Sequence, residues 1–445
     1  MKTKTLFFFL MLQATFLTAQ EKSSFSLAEA IKFGLENKPE MKNARLEEEI
    51  ALNQKREVTG IGLPQISASF DLKDFFEIPT SLVPGEFFGG PPGSFIPVKF
   101  GVRYNATAGV QVSQIIFLIY YVVALQASKE FLSLSTYMTE RTRAETHAQI
   151  AKAYYMVLVN RERIKLMEAN VKRLEKLQSD TRALYENGFV EKIDVDRIEV
   201  AYNNLVSETE KVKKLAGLSE TLLKFQMGYD LSKPIELSDK LDINFSPVLE
   251  SDGTGKSFQS RPEYKLLESQ KKLNFLEQRR SKLSHLPSLV AYGSYSQQAQ
   301  RNEFNIFNFS PENDWFPIGI IGATLTLPIC SGGQKYFKLQ QQKIRGEILK
   351  NQMSSLESAL TLEIQSETIR YNNSVADYFI QKKNADLALG IYEITKKKYE
   401  QGVGSNLEVV MAQTDYRLAE TNLFNALYEL LIAKIDLEKS KGNLK

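Results

Sequence analysis

The stretch that decides the fold of this chain is FGVRYNATAGVQVS, residues Phe100 to Ser113, in which apolar side chains alternate with small or polar ones. Because successive side chains of a strand point to opposite faces, the alternation gives one apolar face and one small or polar face. At about 3.3 Å per residue, the stretch is long enough to cross a bilayer at a tilt. This pattern is typical of an outer-membrane barrel strand. A long strand of a soluble sandwich with one wet face is the alternative.

The N-terminus predicts export. Lys2 and Lys4 precede an apolar run from Leu6 to Leu17, and cleavage is expected after Ala19, as in a secretory signal peptide. The residue directly after that position is Gln20 and not Cys, so we expect no lipid anchor. The most apolar later run, Ile115 to Leu125, is shorter than the roughly 18–20 residues that a membrane helix needs. If the chain spans a membrane, it does so with strands.

Composition argues against several functional classes. The chain has 56 Lys and Arg against 53 Asp and Glu, and its net charge of +3 gives no reason to expect a nucleic-acid partner. Its one cysteine, Cys330, excludes an intrachain disulfide and is interpreted as a packing residue. His147 and His285 are not at metal-ligand spacing from each other or from Cys330. Because the sequence shows no nucleophile–base pair and no phosphate loop, we expect no enzymatic activity, no cofactor and no metal.

The sequence consists of two copies of one unit. Short motifs recur at an almost constant displacement: Pro39 with Pro262, Pro64 with Pro287, and Tyr185 with Tyr399. Each copy reads helix, strand, loop, strand, very long helix, tight turn, helix. The predicted organisation is a signal peptide at 1–19, a first repeat at 20–238, a connector at 239–260 and a second repeat at 261–445.

Each copy is expected to supply two strands, at about 64–76 and 98–116 in the first and at about 287–297 and 316–329 in the second. The segment from Ile78 to Pro97 is rich in Pro and Gly, which predicts an irregular loop. One helix is expected from Leu27 to Thr59. The stretch from Leu118 to Asn187 has almost no Gly or Pro and predicts a helix of roughly 100 Å. Lys335 to Glu400 is its counterpart.

The last helix carries a narrow heptad seam. Apolar or small residues recur at alternating spacings of three and four from Tyr416 to Leu437, and the other surfaces are rich in Lys, Glu, Asn and Gln. Such helices suit a bundle or a hollow cylinder better than a solid globule. An ordinary antiparallel coiled coil would give the same seam.

The predicted strands of one chain are too few for a closed barrel, which needs about eight. An open sheet edge in lipid leaves backbone groups unpaired at several kcal/mol each, so a barrel has to close between chains. Two chains would give eight strands and three would give twelve, and the strand count alone does not choose between them.

Aromatic side chains mark both ends of the predicted strands. Trp315 and Phe316 stand at the beginning of one strand, and Phe117 and Tyr120 lie at the end of another. Two aromatic bands that flank an apolar belt are typical of the membrane interface. Core packing is the alternative explanation for these clusters.

In order and in duplicate, these motifs resemble the TolC-like outer-membrane efflux protein family over essentially the whole mature chain. The resemblance is carried by Ser26-Leu-Ala-Glu-Ala-Ile31 with Pro39, the two helix–Leu-Pro–strand passages, Leu327-Pro-Ile-Cys-Ser-Gly-Gly333 and the two Tyr-x-x-Gly turns. It implies a mostly α-helical chain with membrane β-strands, a homotrimer with a twelve-stranded outer-membrane barrel, and a long periplasmic α-helical barrel. It also implies a periplasmic adaptor (membrane fusion protein), an inner-membrane pump of the RND, ABC or MFS type, and surrounding outer-membrane lipid.

One junction departs from the family pattern. The first copy has Ile116-Phe-Leu-Ile-Tyr-Tyr121 where the second has Ile329-Cys-Ser-Gly-Gly333. The usual Gly- or Asp-bearing turn from strand to helix is missing in the first copy. We expect a different local geometry at this junction and an unchanged fold.

The resemblance places a periplasmic gate at the tight turns. One aperture acid of the family falls on Glu408, and a second falls on Met411, so that ring looks lost. The family's Asp–Tyr link between coils falls on Asp194 and Tyr399. A basic partner of that link falls on Gly404, which cannot serve.

Each gate residue has a competing structural role. Three copies of Glu408 would form a cation-attracting ring, but Ser405 and Glu408 also fit a capping box. Asp194 suits a first helical turn, where the helix dipole favours an anion. The small turn residues are candidate adaptor contacts, and helix capping does not exclude that role: Gly188, Val190, Gly402 and Gly404.

The sequence therefore predicts the outer-membrane channel of a tripartite efflux or secretion system, a passive duct for small molecules or proteins. A periplasmic coiled-coil scaffold or adaptor without a pore is the alternative, and the alternating strands with Pro/Gly loops argue against it. The sequence shows no nucleophile–base pair and no phosphate loop, which argues against a soluble helical enzyme. The residues of the predicted lumen are generically polar and identify neither the cargo nor the pump.

Overall fold

The computed structural model describes residues 24–241, 245–247, 257–308, 310 and 314–444. The predicted signal peptide and parts of the connector, residues 242–244 and 248–256, lie outside the described residues. The chain divides into two compact units. A helical unit comprises Met1–Glu48, Ser135–Leu267 and Gln352–Lys445, and a sheet-containing unit comprises Glu49–Leu134 and Glu268–Asn351.

Helices make up most of the described chain, which confirms the mostly α-helical class. Their bounds are α1 Leu27–Asn37, α2 Pro39–Ile61, α3 Ile119–Glu186, α4 Lys192–Met227, α5 Pro262–Leu283, α6 Gln334–Glu400 and α7 Asn406–Ser440. Within the described residues, none of these helices has both the length and the apolar character that crossing a membrane requires.

The first helical segment is divided, where the sequence predicts a single helix. α1 ends at Asn37, Lys38 is extended with φ of −60° and ψ of 130°, and α2 begins at Pro39. Proline disfavours helix for the residue before it and is itself well suited to the first helical position. The break therefore falls at Lys38, and the side chain of that residue turns into the helical unit.

Four long strands form one antiparallel sheet in the order β2-β5-β7-β8, with bounds β2 Gln65–Asp74, β5 Tyr104–Phe117, β7 Ser288–Arg301 and β8 Phe316–Thr326. The register brings the alternating side chains of all four strands into line. One face is predominantly apolar, with Ile66, Ala68, Phe70, Leu72, Ala106, Ala108, Val110, Val112, Leu289, Ala291, Tyr295, Ile321, Ala323 and Leu325. The opposite face is mainly small or polar.

The two edge strands of this sheet are open. Within the described residues, neither β2 nor β8 has a partner strand on its outer side. Every residue of β2 is exposed, although four of its ten side chains are apolar or aromatic in alternation. Apolar edges of this kind call for a covering environment that the single chain does not supply.

The strand that decides the fold begins later than its alternation predicts. β5 starts at Tyr104, since Gly101 interrupts the extended chain with φ of 128°. Arg103 there pairs with Asp74 at 2.8 Å, at the end of the neighbouring strand β2. Alternation alone does not reveal this turn, because the side chains of residues 100–103 continue the same pattern.

The segment between β2 and β5 is a hairpin, although its composition predicts an irregular loop. β3 Thr80–Pro84 pairs antiparallel with β4 Phe95–Lys99, and a 3₁₀ turn at Gly85–Phe88 follows β3. Both strands contain proline, at Pro84 and Pro97. A two-stranded ribbon has outer edges where the missing proline N–H leaves no ladder bond unmade.

The first strand-to-helix junction is closed by a tyrosine. Only Leu118 separates β5 from α3, and the Tyr121 hydroxyl donates to the Thr59 carbonyl oxygen at 3.0 Å. The phenol fills the place beside Gly62, where an added Cβ would lie 2.2 Å from the Tyr121 oxygen. Tyr121 thus ties the end of α2 to the start of α3 without a glycine turn.

The second junction uses glycines and a lysine. Residues 327–333 separate β8 from α6, and Gly332 and Gly333 have φ of 57° and 80°. The Lys335 ammonium donates to the Ser284 carbonyl oxygen, just past the end of α5, at 2.6 Å. The two junctions therefore differ in local geometry, as the sequence predicts. Both still join a strand of the same sheet to a long helix.

The helical unit is anchored near its N-terminal strand. β1 Ser24–Phe25 pairs in parallel with β6 Glu236–Leu237, and Ser26 and Glu29 form a complete capping box for α1. The buried Tyr154 hydroxyl donates to the Phe25 carbonyl oxygen at 3.0 Å. Within the described residues, four interior clusters, rather than one core, line the seams between the helices.

Candidate functional site

Two tight turns join the long helices of the helical unit and share one hydrogen-bond pattern. Gly188 and Gly402 have φ of 79° and 74°, and the residue after each donates its N–H back across the turn. Phe189 N donates to the Leu184 carbonyl at 2.9 Å, and Val403 N donates to the Lys398 carbonyl at 3.0 Å. This is the Schellman arrangement, which needs the left-handed conformation that glycine adopts without strain.

Both tips present an apolar side chain to solvent. Phe189 and Val403 occupy the same position of the two turns and are 77% and 78% exposed. Val190 is half-buried, and Gly404 is closely approached, since an added Cβ would lie 3.2 Å from the Lys398 Cβ. The tips are therefore small, rigid turns, each with one projecting hydrophobic group.

Only one of the two hydrogen bonds of a capping box is formed at Glu408. Ser405 accepts a hydrogen bond from the Glu408 N–H at 3.3 Å, which is half of a capping box. The reciprocal bond, which Glu29 makes to the Ser26 N–H in α1, is not formed at Glu408. Within the described residues, the exposed Glu408 carboxylate has no hydrogen-bond or ion-pair partner.

Asp194 and Tyr399 have other partners in the single chain. The Asp194 carboxylate lies 3.6 Å from the Arg197 guanidinium, one turn along α4. The Tyr399 hydroxyl lies 3.5 Å from the Thr181 hydroxyl. Among the described contacts, the structure does not bring the Asp194 carboxylate and the Tyr399 hydroxyl together.

A different residue connects the two tips. The Asn406 side chain is buried, and its Nδ2 donates to the Asp194 backbone carbonyl at 2.8 Å. Sequence reasoning missed this contact, because an asparagine at the start of α7 is an ordinary helix-start residue. Only packing of the two hairpins against each other shows that it bridges them.

A buried polar group lies further along the same seam. Tyr392 and Tyr416 stack with ring centroids 6.2 Å apart, and the Glu420 carboxylate accepts from Asn170 Nδ2 at 2.6 Å. Burial raises the pKa of Tyr416, and the adjacent Glu420 raises it further. Burial also raises the pKa of Tyr392. Both phenols are therefore neutral at physiological pH, and the seam is fixed by a hydrogen-bonded carboxylate.

A groove of about 560 Å³ lies between α4 and α7, next to the tips. Its lining is largely apolar along the middle and charged at the sides: Leu174, Ile193, Val200, Leu205, Leu407 and Val410, with Asp196, Arg197 and Arg417. Ile193 and Leu407 are the second residues of α4 and α7, the two helices that follow the tips. The groove thus continues the apolar surface that Phe189 and Val403 begin.

The predicted interface aromatics lie at the two ends of the sheet. Phe316 starts β8 opposite Gln298, and Phe117 ends β5 opposite Leu289. Phe316, Phe117 and Tyr120 are exposed. Trp315 is partly buried and packs against a small cluster at the Phe316 end.

Within the part of the chain that the structure describes, no group of His, Cys, Asp and Glu side chains could hold a metal ion. The predicted site residues are thus helix tips, a free carboxylate and exposed aromatics. This arrangement can position surfaces and charge, which is what a conduit and its partners require.

Known proteins share this architecture. The sequence model of the family described as Outer membrane efflux protein matches residues 277–443. Outer membrane protein TolC of Vibrio cholerae serotype O1 is 20% identical over 342 residues, which cover 76% of this chain and 77% of that protein. The solved CmeC outer membrane channel of Campylobacter jejuni aligns with 94% of this chain and 85% of its own, at a TM-score of 0.74 and 16% identity. The outer membrane protein VceC of Vibrio cholerae aligns over 94% and 96%, at a TM-score of 0.71 and 15% identity.

The likeness to these solved channels shows the fold: long helices with a four-stranded antiparallel sheet. The sequence matches confirm the resemblance to TolC-like outer membrane efflux proteins that the motifs predict. The family description and the relative both name outer membrane proteins, in agreement with the predicted localisation.

Proposed function

We propose that three copies of this chain form a passive outer-membrane duct of a tripartite efflux or secretion system. The observation that carries the proposal is the four-stranded sheet, with one apolar face in register across all strands and two open edges. The apolar face suits lipid and the polar face suits a lumen. The helices would continue the lumen through the periplasm.

Closure between chains follows from the edges. In lipid, an unpaired row of backbone groups along β2 or β8 would be strongly unfavourable, so each edge needs the opposite edge of a neighbouring chain. Two chains would supply about eight strands, the practical minimum, and three would supply twelve. The resemblance to TolC-like proteins favours three.

The tips and the α4–α7 groove are the proposed adaptor contacts. Phe189 and Val403 offer exposed apolar groups on rigid turns, and the groove extends that surface along two helices. A helical hairpin of a periplasmic adaptor could lay its apolar face there. The adaptor would connect the duct to an inner-membrane pump, and cargo would pass without chemistry on the chain.

Glu408 is the proposed gate acid. Its carboxylate is exposed and unengaged, and three copies near a common axis would concentrate negative charge and hold cations. Asp194 and Tyr399 are proposed to link the two coils in the closed assembly. That link requires Asp194 to leave Arg197 and Tyr399 to leave Thr181.

Planar-bilayer conductance of the purified mature protein, measured together with its mass in detergent, tests the duct. A trimer with small, cation-selective conductance is the expected result. A monomer or dimer that never conducts would overturn the duct and leave a periplasmic coiled-coil scaffold as the better function.

Substitution of the gate acid tests the site separately. Glu408→Ala should raise single-channel conductance and weaken block by multivalent cations, because the carboxylate ring would be lost. Glu347→Ala is the matched control, since Glu347 is an exposed acid of the sheet-containing unit whose one ion-pair partner among the described residues is Lys350. Equal conductance and block in wild type and Glu408→Ala would remove Glu408 from the gate.

A further inference from the structure

A second pocket, unrelated to the tips, lies in the sheet-containing unit where helices and strands meet. It has a volume of about 280 Å³ and is lined by Tyr120, Arg280, Ser281, Ser284, Lys335 and Lys338; we call it the basal pocket. α3 and α6 begin beside it, α5 ends beside it, and β7 follows within a few residues. The basal pocket therefore lies at the end of the sheet from which the helices depart.

The lining of the basal pocket is cationic. Three of its side chains carry positive charge and none is acidic. Arg280 has one carboxylate neighbour, Glu277 at 3.3 Å, and Lys335 uses one of its three N–H bonds on the Ser284 carbonyl. Lys338 is exposed, and within the described residues no carboxylate pairs with it. Three hydroxyls, of which that of Ser284 donates to the Ser281 carbonyl oxygen, and the N–H groups of three cations thus line a small cavity, which suits an anion with several acceptor oxygens.

The surroundings of the basal pocket are apolar and aromatic. Tyr336 and Phe337, exposed neighbours of Lys335, stand with ring centroids 5.3 Å apart. Leu325, near the same end of the sheet, belongs to the apolar face. A ligand with an anionic head and an apolar body would satisfy both regions at once, whereas a free anion would leave the apolar surface uncovered.

We propose that the basal pocket binds the phosphate group of a glycerophospholipid, whose acyl chains lie along the apolar face of the sheet. The proposal rests on the outer-membrane duct above: because the helical portion is periplasmic, this end of the sheet faces the periplasmic leaflet. Lys335, Lys338 and Arg280 hold the phosphate oxygens, and Tyr120 covers the head group at interface depth.

All three cations of the basal pocket belong to the second repeat. The start of α3 in the first repeat reads Ile119-Tyr-Tyr-Val-Val-Ala124, without a cation, where α6 has Lys335 and Lys338. The first lysine of α3 is Lys129. It lies about two and a half helical turns beyond Tyr120, the position of α3 that corresponds to Lys335 in α6. One phospholipid per chain is therefore expected, and not two.

Native mass spectrometry of the full detergent-purified protein tests the proposal. The probes are dioleoyl phosphatidylglycerol, dioleoyl phosphatidylethanolamine, dioleoylglycerol without phosphate, and inorganic phosphate. The variants are Lys338→Gln and Arg280→Gln, with Lys338→Arg as the charge-preserving substitution. Lys350→Gln is the matched control, because Lys350 is an exposed lysine of the same helix that pairs only with Glu347.

Both phospholipids should bind at one molecule per chain, and dioleoylglycerol should not. Lys338→Gln and Arg280→Gln should each weaken phospholipid binding by about tenfold, the loss of one charge-assisted contact, whereas Lys338→Arg and Lys350→Gln should match wild type. Equal binding of dioleoylglycerol, unchanged binding by both Gln variants, or inorganic phosphate binding as tightly as the lipids would overturn the phospholipid site. Conductance of the same samples separates the two proposals, since a conducting protein indifferent to these lipids refutes only the pocket.

Discussion

Each repeat buries one cation directly before the proline that starts a helix, and the two cations have different partners. Lys38 and Arg261 occupy matching positions, and each is only 4% exposed. The Lys38 ammonium donates to the side-chain oxygens of Gln149 and Gln226, both at 2.8 Å. Burial lowers the pKa of Lys38, and the charges of nearby acids only partly offset it.

Arg261 is compensated by carboxylates instead. Its guanidinium donates to Glu363 at 2.7 Å and to Glu263 at 3.2 Å. Burial, the largest single effect, would raise the pKa of Glu263, but the hydrogen bond from Arg261, a backbone hydrogen bond and the charges of Arg261 and Arg141 together outweigh it, and the pKa lies below its ordinary value. Both repeats thus bury a long cationic side chain at this position, while the charge balance around it differs between the repeats.

The largest expected effect is on the second repeat. Arg261→Met leaves Glu263 and Glu363 without their cation and should lower the free energy of unfolding by about 3 kcal/mol, since removing one partner of a buried pair strands the other. Denaturant titration of the detergent-solubilised protein measures it. Arg182→Met, which breaks an exposed pair with Glu199, is the control and should change stability by less than about 1 kcal/mol. Equal losses would refute the role of burial.

A second contrast lies at the strand-to-helix junctions. Gly62→Ala should destabilise the protein by about 2 kcal/mol, because the added methyl group displaces the Tyr121 ring from Thr59. His285→Ala, also two residues before the Leu-Pro proline of its repeat, should have little effect. Thermal unfolding midpoints compare the two, and adding Tyr121→Ala to Gly62→Ala should recover part of the loss. If Gly62→Ala were as stable as wild type, the tyrosine would not close the junction.

The first repeat should tolerate loss of its cation. Lys38→Met should change the free energy of unfolding by no more than about 1 kcal/mol and could even stabilise, because a buried charge is removed and the two amides are neutral. The same denaturant titration compares it with Arg261→Met. A loss as large as that of Arg261→Met would show that the two repeats use their cations alike.

The smallest expected effect is on acid stability. The native pKa of Glu263 is depressed, so its contribution is fully present above the unfolded-state pKa and is lost as pH falls through the native pKa. From about pH 5 to about pH 3, wild type should therefore lose stability that Glu263→Gln does not lose. Unfolding midpoints across this range measure the difference, and parallel curves for the two proteins would contradict it.

The sequence contains enough information for the class of fold. The period-two alternation of β5 and the duplicated Leu-Pro passages predict where the four strands lie along the chain. They do so because the direction of a side chain in a strand is fixed by its position. Helix ends are also set locally: Gly188 ends its helix where predicted, and Pro39 causes a break through backbone conformation that the predicted single helix from Leu27 to Thr59 does not include. The β3–β4 hairpin escapes such reasoning, since its Pro and Gly content is that of a loop.

The contacts of the candidate site are not local. Asn406 meets Asp194 across 212 residues of sequence, and Asn170 meets Glu420 across 250. Such pairs depend on how hairpins pack, which no spacing rule reports. That the Glu408 carboxylate has no partner among the described residues is likewise apparent only from the structure, because its sequence context fits a capping box.

The open edges of the sheet also determine how such a protein would be assembled. β2 and β8 are different surfaces, so contact between chains is head-to-tail and closes only when the rotation per chain completes a ring. Every intermediate short of closure keeps two unsatisfied edges, and the last chain to join satisfies both. Barrel formation is then cooperative in chain number, and its stability cannot be separated from the concentration of protomers in the envelope.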